Sequence, residues 1–380
     1  MVKKKFNLIE QYFETETFDL ITSISSSNIK NPITINYKKL HLLFKKIDGS
    51  NLSLSDSRDF FLRILKKILF EGKRKLKDIF IKNNDGAFYH RRHAALLDEL
   101  LITVFKKISL KIYNKSKPSI SLIAVGGYGR GELAPNSDID ILFLIEEKNN
   151  SKNETMIQFV LYLLWDLGLS VGHSSRTVEE AIQDSKEDLT IRTSILENRY
   201  IVGNKALFKS LENKFKRLQK LTIPEFINFK LEEQEKRQEK MGGSRYVLEP
   251  NIKEGKGGLR DLHTLSWISK YIGNVKRTEK ENYFNSFSLQ YEKNRFERAQ
   301  NFFWSVRCHL HFINNKDNNL LTFDAQQEVA NSLGYKNRKY SLSVERFMKK
   351  YYLTVRDVGN LTRLFCSELD QKYSRKDVFP

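Results

Sequence analysis

Hydrophobic positions in this chain fall into helical spacing at first, change to strand spacing in the middle, and return to helical spacing in the second half. Phe60, Phe61, Ile64, Leu65, Ile68 and Leu69 recur at three and four residues with Arg and Lys between them, which predicts a helix from about Ser57. Leu96, Leu97, Leu100, Leu101, Val104 and Phe105 predict a second helix over residues 91–108. Pro118 punctuates the chain, and residues 119–125 read as a strand that leads into a glycine-rich loop. An apolar run to residue 145 predicts the next strand, and the polar stretch 146–153 predicts a turn. Residues 156–167 follow as an amphipathic helix closed by Gly168, and 169–174 as a further strand. Thr177 is placed to cap a short helix over 178–185. Residues 1–55 are polar with weak periodicity, whereas 223–240, 296–312 and 343–365 carry helical spacing. Strand, loop, strand, helix, strand makes a small α/β unit with helical regions on either side.

The chemistry concentrates in that unit. Residues 124–145 join a glycine-rich loop, from Gly126 to Gly131, to Asp138 and Asp140 inside an apolar run. Residues two apart on a strand point to one face, so both carboxylates are expected to project together, with Ile139 and Ile141 facing the other way. Two carboxylates at that spacing suit Mg²⁺, which takes one or two of them and completes its shell with phosphate oxygens. The loop glycines leave backbone N–H groups open to a polyphosphate, and Gly127 is expected to use positive φ to do so. Two acids in mid-strand would be expensive as mere structure, because unpaired buried carboxylates are disfavoured. The glycine spacing does not fit a dinucleotide-binding fingerprint, and no G-x-x-x-x-G-K-[ST] run occurs in the chain.

Composition narrows the setting only slightly. The 380 residues allow two or three domains. No apolar stretch approaches the roughly 18 residues of a membrane span, and no signal peptide follows the basic start, so no membrane partner is expected. Cys308 and Cys366 lack metal or redox spacing, which fits a reducing cytoplasm. The net charge of +19 would suit a polyanionic partner, but the lysines are spread throughout and no aromatic-basic repeat accompanies them. Nucleic acid is therefore not an expected partner. The charged run over 232–240 reads as a solvated helix face or a connecting helix.

A second cluster lies at residues 253–263, where Gly255, Gly257 and Gly258 sit among Lys253, Lys256 and Arg260 just before a helical run. It is either an anion site at a helix N-terminus or a tight basic turn with structural glycines. Together, GGYGRGEL-x-P-x-SDID over 126–140, WDLGL-x-VGHS-x-RT over 165–177 and KEG-x-GGLRDLH over 253–263 resemble the N-terminal part of the bacterial PII uridylyltransferase family. The first motif alone would indicate only the nucleotidyltransferase superfamily, and the resemblance covers about residues 60–370.

The resemblance implies an α+β fold, with a small polymerase-beta-like nucleotidyltransferase core flanked by helical regions. The expected divisions are 1–82, 83–205 and 206–380. It implies transfer of UMP from UTP to a tyrosine of a PII signalling protein, with Mg²⁺, or Mn²⁺ in its place, and release of pyrophosphate. Asp138 and Asp140 would be the catalytic metal ligands. Gly126, Gly127, Ser137, Lys253, Lys256 and Arg260 would bind the nucleotide. A third acid from a later strand is usual in the superfamily, and only Asp188 and Glu197 are candidates, since the 169–174 segment offers His173 but no carboxylate. The chain has no His-Asp dipeptide, so neither the uridylyl-removing activity nor the glutamine sensing of the long family enzymes is expected. The rival readings are a transferase with another nucleotide or acceptor, and a catalytically silent regulatory module.

Overall fold

The computed structural model describes residues 54–114, 116–273 and 290–369, together with two short paired strands, β1 (Ile21–Thr22) and β2 (Thr34–Ile35). The remainder of the polar segment before residue 54 lies outside the described residues. Two long helices open the described part, α1 (Leu54–Asn83) and α2 (Gly86–Tyr113). The apolar stripe expected on α1 is buried at Phe61, Ile64, Leu65, Ile68 and Leu69. The second helix begins earlier than its apolar periodicity indicates, because the Asp85 side chain accepts from the Phe88 N–H and caps it at Gly86.

A four-stranded mixed sheet follows, in the order β5-β4-β3-β6. Its strands are β3 (Ile120–Ala124), β4 (Ile139–Ile145), β5 (Val171–Arg176) and β6 (Arg199–Gly203). β3 pairs antiparallel with β4 and β6, while β4 and β5 run parallel through the crossover helix α4 (Ser151–Asp166). That helix also starts before its periodic stretch: Asn150 accepts from the Lys152 and Asn153 N–H groups, so the turn expected over 146–153 ends at residue 150. The glycine segment is not a plain loop. It contains one helical turn, α3 (Gly126–Gly129), directly after β3.

β4 reads as a nearly unbroken apolar run because both sheet faces are covered. Ile139, Ile141, Phe143 and Ile145 pack with α1, α2 and α4 on one side. Leu142 and Leu144 pack on the other side with α5 (Val178–Glu187), α6 (Leu189–Leu196) and α7 (Lys205–Leu221). Thr177 caps α5 as expected, in a reciprocal capping box with Glu180. A separate apolar cluster joins α8 (Ile223–Lys240), α9 (Leu259–Gly273), α10 (Gln290–Asn314), α11 (Phe323–Ser332) and α12 (Ser343–Leu369). The result is an α+β polymerase-beta-like core with helical flanks. Among the described residues no helix is long and apolar enough to cross a membrane.

Candidate active site

The sheet and the C-terminal helices enclose a cleft of about 940 Å³. Asp138 and Asp140 both line it, but they sit differently from the mid-strand pair expected. Asp138 precedes β4 and is exposed, so burial costs it little; Asp140 alone lies within the strand and is partly buried. Burial first, and then the neighbouring Asp138, raise the Asp140 carboxyl above its ordinary range, while Arg130 and Lys253 oppose the shift.

The glycine turn is anchored from beneath. The Tyr128 hydroxyl donates to Asp98 Oδ1 at 2.6 Å, and Arg199 donates to both Asp98 oxygens and to the Tyr128 carbonyl. Gly126 has φ +58°, the left-handed conformation that favours glycine. Gly127 does not share it. A Cβ on Gly127 would make only ordinary contacts, 3.5 Å from the Glu132 carbonyl, so the positive φ expected at 127 belongs to 126. Both glycines line the cleft.

Arg130, from the same turn, points inward and serves two carboxylates. Its Nε donates to Glu132 at 2.8 Å and its Nη1 to Glu197. Burial opposes the charge on Glu132, but the Arg130 guanidinium and His263 outweigh it and hold the carboxyl well below the usual range. Burial keeps the Glu197 carboxyl raised despite Arg130. Glu197 thus lines the cleft as the partner of Arg130, and Asp188 caps α6 through the Thr190 and Ile191 N–H groups and does not line it. On β5, the strand beside β4, Gly172 pairs with Asp140 and His173 with Ile141, so no third acid stands there.

The basic turn at 253–258 divides its residues. Lys253 and Arg260 line the cleft; Lys256 does not. Burial, then Arg307 and Arg260, lower the Lys253 pKa. The backbone of this turn offers no anion cradle. The Gly257 N–H donates to Asp261 Oδ2, and those of Gly258, Leu259 and Arg260 donate to the carbonyls of Gly255, Ile252 and Lys253. Of the two readings of the turn, the tight basic turn describes its backbone.

Several cleft residues escaped the sequence reading. The charged helix α8 is not simply a solvated face, since Phe229, Lys230, Glu233 and Arg237 line the cleft. Lys230 is buried with its Nζ 4.5 Å from the centre of the Trp267 ring, and Arg237 donates to Asp261. Helical periodicity marks a buried apolar stripe and cannot mark a buried cation of this kind. Arg307, on α10, also reaches in: its Nη2 donates to Ser137 Oγ at 3.1 Å and its Nε to Asn319 at 2.8 Å. Nothing local to residue 307 signals that contact. Arg130 and Glu132, by contrast, stood in the glycine motif and could have been singled out as charges inside a tight turn.

Residues 106–221 match the family of nucleotidyltransferase domains, and residues 225–366 match the family described as GlnD PII-uridylyltransferase. The cleft lies between the two matched segments, with Ser137, Asp138 and Asp140 from the first and Lys253, Arg260 and Arg307 from the second.

Proposed function

Because the chain joins a nucleotidyltransferase domain to a GlnD PII-uridylyltransferase domain, we propose that this cleft transfers UMP from UTP to a tyrosine hydroxyl of a PII signalling protein and releases pyrophosphate. The observation that carries the reading is the meeting of two carboxylates from one domain with three cations from the other in a single cleft. On this reading the chain divides into a helical region over 1–82, a transferase core over 83–205 and a helical domain over 206–380.

Asp138 and Asp140 would hold Mg²⁺. Among the described residues no group of three or more His, Cys, Asp or Glu side chains is arranged to hold a metal ion. That fits Mg²⁺, which needs only one or two carboxylates and takes further oxygens from nucleotide phosphates and water. When bound, it would neutralise phosphate charge and polarise the reacting phosphoryl group. Lys253, Arg260 and Arg307 would bind the triphosphate, with Gly126, Gly127 and Ser137 beside it. Phe229 on α8 and Thr193 on α6 offer the same cleft a ring face and a hydroxyl that suit a nucleobase. The tyrosine oxygen forms the new bond to the α-phosphorus as the bond to the bridging oxygen breaks and pyrophosphate departs.

The test is incubation of the chain with PII protein, Mg²⁺ and each of the four labelled nucleoside triphosphates, followed by detection of labelled PII. Label from UTP alone is expected. Label from another nucleotide would make this a transferase of different base preference. Nucleotide binding without any labelled protein would make it a silent module.

A further inference from the structure

The two oxygens of the Asp140 carboxylate stand against two glycines. A Cβ on Gly172 would lie 2.6 Å from Asp140 Oδ1, and a Cβ on Gly126 would lie 2.9 Å from Oδ2. Both distances are closer than non-bonded atoms tolerate, so a side chain at either position would turn the carboxylate away. Gly126 has a second reason to be glycine, its positive φ. Gly172 has none: it sits at an exposed position of the edge strand β5, outside the left-handed region. The Asp140 carboxyl group is all that its Cβ would meet within 4 Å.

We propose that Gly172 is a positioning residue for the metal-holding carboxylate, resting on the reading of Asp140 given above. In the parallel ladder Asp140 pairs with Gly172, so a side chain at 172 would rise on the same sheet face as the carboxylate. Glycine withholds that side chain and lets the carboxylate stand in the cleft beside Asp138. β5 is also the neighbouring strand on which a third acid would be sought. It contributes an absence there: room for the second acid to keep its orientation toward a divalent cation.

The experiment is Mn²⁺ titration, read by electron paramagnetic resonance in the presence of a non-hydrolysable UTP analogue, on the wild-type chain, G172A, D140N and the double variant. Thermal unfolding is recorded alongside. G172A is expected to keep the wild-type melting midpoint while its Mn²⁺ Kd rises about tenfold or more, the range seen when groups that orient a metal ligand are changed. In the D140N background, G172A should add no further loss. Wild-type Mn²⁺ affinity in G172A would overturn the proposal. So would an undiminished effect in the D140N background, because Gly172 would then not act through Asp140. A collapsed melting midpoint in G172A would overturn it too, since the position would be carrying the fold. Wild-type affinity in D140N would instead remove the assignment of Asp140 as a metal ligand, and this proposal with it.

Discussion

Arg307 and Ser137 are 170 positions apart in sequence, yet the Arg307 guanidinium donates to the Ser137 hydroxyl at 3.1 Å inside the cleft. The contact ties the loop before β4 to helix α10. Arg307 is further held by Asn319 and lies 3.3 Å from Asp317, so its charge is fixed rather than free to wander. Arg307→Met is expected to raise the KM for UTP about tenfold or more, because a hydrogen bond to a charged group is worth about 1.5–3 kcal/mol. Steady-state kinetics with varied UTP checks this; an unchanged KM would remove Arg307 from the nucleotide site.

Asp138→Asn and Asp140→Asn should each lower transfer at least about 100-fold, since even groups that only orient metal ligands cost about 10- to 100-fold. Neither substitution should unfold the protein. Asp138 is exposed, and burial disfavours the Asp140 charge that the amide removes. Turnover together with thermal unfolding separates the two effects, and full activity in either variant refutes its assignment.

Lys253 and Lys256 lie three residues apart in one basic turn, and only Lys253 lines the cleft. Lys253→Met should therefore weaken nucleotide binding, measured by titration calorimetry, while Lys256→Met leaves it within about twofold. Equal losses would mean that the turn acts through its total charge and not through one placed cation.

The Tyr128 hydroxyl holds the glycine turn to Asp98. Tyr128→Phe should cost about 1 kcal/mol, the usual worth of one hydrogen bond, because Asp98 keeps Arg199 as a partner. Asp98→Ala should cost more, since it strips both Tyr128 and Arg199 of that partner. Urea unfolding of both variants tests the order.

Burial presses His90, His93 and His263 from 6.5 down to about 3, and His309 to about 4. Below pH 6.5 the unfolded chain takes up protons at these positions that the folded protein refuses. Stability should therefore fall as pH falls from 6.5 toward 4, by on the order of 1 kcal/mol per histidine at pH 5.5. Urea unfolding at pH 7.5, 6.5 and 5.5 measures the slope, and His90→Leu should flatten it.

What the sequence determined by itself is local. The stripe on α1, the alternation of β3 and β4, the Thr177 cap and the Asp138/Asp140 spacing each depend on residues a few positions apart. Periodicity and capping act at that range, so they could be read without the fold. Even so, the ends of α2 and α4 were missed, because Asp85 and Asn150 start those helices before their apolar stripes begin.

Tertiary structure decided the rest. It sent the charged α8 into the cleft, with Lys230 buried over Trp267, where composition suggested a solvated face. It turned the N–H groups of the 255–260 turn onto the chain's own acceptors, so that only Lys253 and Arg260 reach the cleft from it. It set Gly172 and Gly126 against one carboxylate and carried Arg307 to Ser137. None of these follows from local pattern. They depend on how apolar faces dock over tens or hundreds of residues, and a buried cation or a missing side chain takes its meaning only from the neighbour that docking brings to it.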